Sequence, residues 1–170
     1  MQDINREEIH QYLTFKLAEE VYAINVAYIK EVLGVPRLTR VPRMPDFMRG
    51  VINLRGNVIP VLDLKMKFGL GPTEISEDTG IIVTEIGGIF NDGEEENFTI
   101  GIFSDIVENV VAIEPEMIEP PPRIGSSINT EFIVGMGRLG DGFVMILNID
   151  KMLSEAELLR NPAEGAVAYE

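Results

Sequence analysis

The chain repeats itself at a spacing of 85 residues, half its length of 170. The segment DFMRGVINLRGNVIPVLDLKMKF (46–68) aligns without a gap on EFIVGMGRLGDGFVMILNIDKML (131–153). Phe47 then falls on Phe132, Gly50 on Gly135, Leu54 on Leu139 and Leu62 on Leu147. A fainter echo sets YAINVAYIKEV (22–32) beside IGIFSDIVENV (100–110). Repetition of this kind restricts the fold to two units built on one plan. A small sheet of about five strands removes its unpaired edges by closing into a barrel. The expectation is a mainly β chain: two similar five-stranded barrels in one domain spanning 1–170. The lobes run roughly over 15–75 and 80–150, with terminal segments crossing over and a connection through KMKFGLGPTEISEDTG (65–80).

The local texture agrees. Short apolar, β-branched runs lie between turn residues, which predicts strands at 11–17, 21–26, 50–55, 57–64, 80–86, 98–104, 106–113, 132–139 and 142–149. Pro60 has no N–H to give to a ladder, so it is expected at an edge or a bulge. PRMPD (42–46) and EPEMIEPPPR (114–123) are too rich in proline for regular structure. GGIFNDGEEEN (87–97) reads as a long solvated hairpin end. SEAELLR (154–160) is the one good helix candidate, with Ser154 and Glu157 spaced as a capping box, and the tail NPAEGAVAYE is expected to fray.

Charge narrows the function. A net charge of −14 repels phosphate backbones and anionic lipid surfaces, which argues against nucleic acid and membrane binding. The polar start MQDINREEIHQ is not a secretory signal, and no apolar run reaches the ~18 residues that span a bilayer. Without cysteine, disulfides and thiolate chemistry are excluded.

Candidate chemistry is thin. GMGRLG (135–140) matches a dinucleotide-binding pattern, but that mechanism needs a helix to begin at the glycines, and here the strand-like GFVMILNI follows. His10 is the only histidine and lies at the start of the first strand. Asp92, Glu94, Glu95 and Glu96 lack calcium-loop spacing. NFT (97–99) is a glycosylation sequon with no signal peptide to give it meaning. Arg55, closing an apolar strand before Gly56, and Glu31, between Ile29 and Val32, are charges among apolar neighbours, and such charges are paired or displayed. Three functions stay open on these residues: a docking scaffold, a nucleotide-dependent enzyme using GMGRLG, and a β-barrel holding a small effector.

From about residue 10 to 160 the chain resembles the CheW-like coupling proteins of bacterial chemotaxis. The resemblance is carried by the order and spacing of YLTFKLAEEVYAINVAYIKEVLG, GVINLRGNVIPVLDLKMKFG, GIFSDIVENVVAI and FIVGMGRLGDGFVMILNIDKML. It implies two five-stranded SH3-like barrels with short helices, one of them C-terminal. It also implies a cytoplasmic adaptor that has no cofactor, metal or catalytic residue and that belongs to receptor arrays at the inner membrane. Its implied partners are the helical-hairpin tip of a chemoreceptor and the like-folded regulatory domain of the histidine kinase CheA. By motif position, Ile29, Glu31 and Arg55 are the implied receptor or kinase contacts, and in some members the glutamate and arginine pair; Val51 is expected to join Ile29 in giving apolar contact in a groove between the barrels. The hairpin at 87–97 is longer and more acidic than the family pattern. The start at Met1, with no receiver, dimerisation or ATP-binding segment, favours a free-standing coupler over a domain of the kinase or of receiver-fused CheV proteins.

Overall fold

The computed structural model describes residues 9–89, 95–121 and 132–151. The helix expected at 154–160, the frayed tail and the tip of the acidic hairpin lie outside these residues. One sheet takes the strands in the order β8 (Ile106–Ala112), β1 (Gln11–Leu17), β2 (Glu20–Asn25), β11 (Gly142–Leu147), β10 (Ile133–Leu139) and the two-residue β9 (Ile118–Glu119). The other runs β3 (Ile29–Gly34), β6 (Gly80–Ile89), β7 (Glu95–Ser104), β5 (Asn57–Leu62) and β4 (Met48–Leu54).

The repeat is realised residue for residue. Hairpins β4–β5 and β10–β11 share one pairing register at the offset read from the sequence, and each has a register shift at the same place, between Met48 and Gly50 and between Ile133 and Gly135. The fainter echo is also structural. Val61 pairs with Gly101 in a parallel ladder where Ile146 pairs with Ala23. β2 therefore holds in one sheet the place of β7 in the other. Even the outermost pairing recurs: Thr39 bridges to Val51 as Glu119 pairs with Met136.

The sheets do not divide the chain near 75–80. One is continuous over 29–104; the other joins 11–25 to 106–147. The N-terminal hairpin β1–β2 crosses to complete the C-terminal sheet, because the parallel partner of β11 is β2. Alternation along the strands sorts side chains onto two faces. Ile81, Val83 and Phe103 fill one barrel, and Tyr12, Val144 and Ile146 fill the other. Leu13, Phe15, Leu17, Ile82, Ile100 and Leu147, from both sheets, share a third core between them. The barrels are thus joined through a packed apolar layer.

Four expectations need correction. The proline-rich 114–123 segment, expected to lack regular structure, carries the two-residue β9 paired with β10. β3 was not anticipated; its exposed Lys30 and Val32 alternate with the half-buried Ile29, Glu31 and Leu33, so no apolar run advertises it. Pro60 is not at an edge, since β5 lies between β7 and β4. It is tolerated because Val51, opposite it, gives both backbone groups to Thr39 (2.8 and 2.9 Å), and the parallel ladder with β7 is in register only from Val61. β6 and β7 also outrun their expected ends, pairing as far as Ile89 with Glu95.

Candidate functional site

Arg55 sits at the tip of the β4–β5 hairpin. With φ of 52° at Arg55 and 90° at Gly56, the two-residue connection is a primed turn, whose twist matches the flanking strands. Asn53 steadies it by accepting the Gly56 N–H at 2.9 Å. The turn holds the guanidinium off the end of the sheet, where Arg55 Nη2 donates to Glu31 Oε2. Glu31 lies on β3, the strand at the opposite end of that sheet's order, so the ion pair spans the seam along which the sheet curls on itself.

Beside the seam runs a groove of about 580 Å³. Lys30, Glu31 and Arg55 stand on it; Met44, Val58 and Pro60 give it an apolar wall. Val58 is 68% exposed, an unusual state for a valine on a strand. Lys30 is also 3.8 Å from the Glu85 carboxylate. The groove is amphipathic, and it holds no triad or metal-ligand set; among the described residues no group of histidine, aspartate and glutamate is placed to hold a metal.

Ile29 and Val51 do not line this groove. Ile29 is half-buried and packs on the core between the sheets. That core packs residues of both sheets together, and Ile29 does not line the groove beside the seam. Val51 is half-buried, and its backbone anchors the 35–47 connection through Thr39. The structure brings Glu31 and Arg55 together, while Ile29 and Val51 are half-buried outside the lining of the groove.

Arg49, the other arginine of the repeat segment, has a different role. Its Nη1 donates to Asp63 Oδ2 at 2.6 Å and to the Thr73 carbonyl at 3.1 Å, and its guanidinium lies 5.3 Å from the Phe103 ring centroid. Fully buried Asp63 also accepts the Thr73 N–H (2.9 Å) and hydroxyl (2.8 Å), and caps the short helix α1 (Leu64–Lys67) through the Lys65 N–H at 3.2 Å. This network fixes the connection between β5 and β6. Sequence reading passed over it; the signal was an arginine inside an apolar strand with an aspartate ending the next.

The glycines of GMGRLG are accounted for by packing. A Cβ on Gly135 would lie 2.7 Å from the Glu119 carbonyl, and one on Gly137 would lie 3.0 Å from Ile113 Cδ1. Gly140 turns the chain at φ 63°, and the strand β11 follows where nucleotide binding requires a helix. His10 lies 3.4 Å from Glu114 at the surface, next to the backbone bond from Ile113 N–H to its carbonyl.

A pair of curled sheets back to back, beside an open amphipathic groove, defines a protein of the paired SH3-like-barrel class. Residues 11–157 match the family model described as the CheW-like domain, and the chain belongs to that family. It is 33% identical over 148 residues to the chemotaxis protein CheW of Klebsiella aerogenes, covering 87% of this chain and 84% of that protein. It is 32% identical over 152 residues to the CheW of Treponema pallidum, covering 89% and 86% respectively. Among solved structures, the scaffolding protein TtCheW from Thermoanaerobacter tengcongensis matches at a TM-score of 0.71 and 36% identity, over 82% of this chain and 84% of that one.

Proposed function

We propose that this protein is a non-catalytic scaffold that couples the cytoplasmic tips of chemoreceptors to a CheA-type histidine kinase. The observation that carries the reading is membership of the CheW-like family over 11–157. A groove with a charged rim and an apolar wall supports it. A receptor tip of the kind the resemblance implies is a helical hairpin, and such a helix docks by laying an apolar stripe into a groove. Met44, Val58 and Pro60 take that stripe, while Arg55, with five donors, takes carboxylates or carbonyls beside it. Glu31 orients the guanidinium. Ile29 and Val51 position the two strands that carry this pair. The kinase's regulatory domain, of the same fold, is the second partner, and the complex sits in arrays on the cytoplasmic side of the inner membrane. No helix among the described residues is long and apolar enough to cross a membrane.

The test is reconstitution. Purified protein, a receptor signalling fragment and the kinase are mixed, and binding is titrated by calorimetry. Binding of both partners, with Arg55→Ala weakening the receptor arm at least tenfold, about 1.4 kcal/mol, supports the reading. Wild-type protein that binds neither partner at micromolar concentration defeats it.

A further inference from the structure

The groove beside Arg55 lies where two strands part. β5 and β7 run parallel, and their ladder holds two rungs, Val61 with Gly101 and Leu62 with Ile102. Counting back from Val61 and from Gly101 gives residues 57–60 on β5 and 97–100 on β7. Every one of these residues lines the groove of about 580 Å³. The groove therefore occupies the place of the rungs that would have continued the ladder.

The other barrel supplies an internal control. The repeat sets Ile146 and Ala23 where Val61 and Gly101 stand, and Met145 and Tyr22 where Pro60 and Ile100 stand. Met145 and Tyr22 form a rung; Pro60 and Ile100 do not. Methionine has an N–H to give to a ladder and proline has none. The ladder stops at the proline, and the groove begins there.

The missing rung matters because of the widths involved. Paired strands lie about 4.8 Å apart, whereas a helix with its side chains is about 10 Å across. A rung between Pro60 and Ile100 would pin the inner end of the slot at the strand spacing and shut a helix out of it. Four residues of strand extend about 13 Å, the length of about two helical turns. We infer that Pro60 is the positioning residue of this groove: by withholding one N–H it ends the β5–β7 ladder at Val61 and Gly101 and holds the strands apart at a width that admits the receptor helix. The part concerning the helix rests on the coupling role proposed above; the part concerning the ladder does not. Pro60 acts here through the path of its neighbours Val58 and Ile59, in addition to the apolar contact its own ring offers.

The experiment compares the full chain with its variant Pro60→Ala, which restores the N–H and adds no bulk. Amide hydrogen exchange read by NMR reports the rung, and titration with a receptor signalling fragment reports the groove. In Pro60→Ala the amide at position 60 is expected to exchange at least a hundredfold more slowly than in an unfolded peptide of the same sequence. Affinity for the fragment is expected to fall at least fivefold. Pro60→Val, which keeps nearly the volume of the ring, should behave alike. Lactic acid at position 60, the ester analogue of alanine without the N–H, should restore the affinity, which a loss caused by the missing ring would not allow. Circular dichroism checks that each variant is folded. An unprotected amide at position 60, wild-type affinity in Pro60→Ala despite a protected amide, or a loss that the lactic-acid variant shares overturns the inference. If the wild-type chain does not bind the fragment, the coupling role fails, and exchange at position 60 alone upholds or overturns the ladder.

Discussion

Glu31 stands on β3 and Arg55 on the turn that follows β4, the two strands that end the order β3-β6-β7-β5-β4, and their side chains nevertheless form an ion pair. A flat sheet would hold those edges four strand spacings, about 19 Å, apart. The pair therefore marks the closure of the barrel as much as a binding feature. Arg55 is 69% exposed and Glu31 31%, so solvent screens much of their attraction.

Its energetic signature is predicted to be small. Glu31→Ala and Arg55→Ala should each cost ~1 kcal/mol or less in urea unfolding. A double-mutant cycle should return a coupling of a few tenths of a kcal/mol, and Glu31→Arg with Arg55→Glu should regain stability lost by either single reversal. Strict additivity of the two single changes would dissolve the pair.

Arg49 and Asp63 are predicted to behave in the opposite way. Asp63 is fully buried, and Arg49 is its only cationic partner among the described residues. Removing one member strands a buried charge, so Arg49→Ala should cost about 3–5 kcal/mol. Asp63→Asn should cost less, because the amide carbonyl still accepts from Thr73. Chemical denaturation with a shared slope measures both.

Tyr22 makes the alkaline limb of stability testable. Its ring lies in the core between the sheets, against Phe15 and Phe68, and burial, with the nearby Glu20 carboxylate adding, pushes its pKa up to about 12. In the unfolded chain a tyrosine titrates near 10. The folded state thus holds the proton more tightly, so the contribution is fully present below pH ~10 and is lost as pH rises towards ~12, by roughly 1.4 kcal/mol per unit. Tyr22→Phe should flatten this limb. It should also leave stability at neutral pH unchanged or raised, since the buried hydroxyl has no hydrogen-bond partner among the described residues. A steep limb that persists in Tyr22→Phe would assign the loss to another group.

The repeated hairpins were legible because two kinds of local signal coincide in them. Apolar alternation marks β4–β5 and β10–β11, and glycine recurs where the backbone needs it. Gly50 and Gly135 share an offset because each lies under a crossing carbonyl, of Thr39 or of Glu119, where a Cβ would come within 2.5 or 2.7 Å. Strand exchange was less legible. Nothing local in QYLTFKL says that β1 pairs with β8 and β2 with β11; that choice is made by long-range burial in the shared core. The two Arg-Gly dipeptides show the same limit. Arg49 lies near the start of β4 and turns inward to Asp63, whereas Arg55 lies in the turn and projects outward. Identical letters differ by their register against a partner strand.

The glycines test this account directly. Gly135→Ala forces a methyl against the Glu119 carbonyl and Ile118 Cγ2, both at 2.7 Å, and overpacking of that kind costs about 1–3 kcal/mol. Gly142→Ala meets nothing within 4 Å and should be tolerated within about 0.5 kcal/mol. Thermal melts of the two variants compare them. Equal stability would show that the β9 crossing does not press on Gly135.

The last prediction separates binding from folding at the docking groove. Ile29→Asp places a carboxylate against the core shared by both sheets, where an unpaired charge is expensive, so loss of binding in that variant would reflect loss of structure. Val58 is the cleaner probe. It lies on β5 in the wall of the groove, directly opposite Asn53 and 68% exposed, so Val58→Asp should shift stability by no more than about 0.5 kcal/mol. A charge in the middle of an apolar contact opposes desolvation of the partner, and receptor-fragment affinity should fall at least tenfold. Val110, 57% exposed on β8 of the other barrel, provides the control: Val110→Asp should leave receptor-fragment affinity unchanged. If Val58→Asp is folded and binds as wild type while Val110→Asp does not, the receptor contact belongs to the other barrel, and the Glu31–Arg55 pair serves closure of the sheet alone.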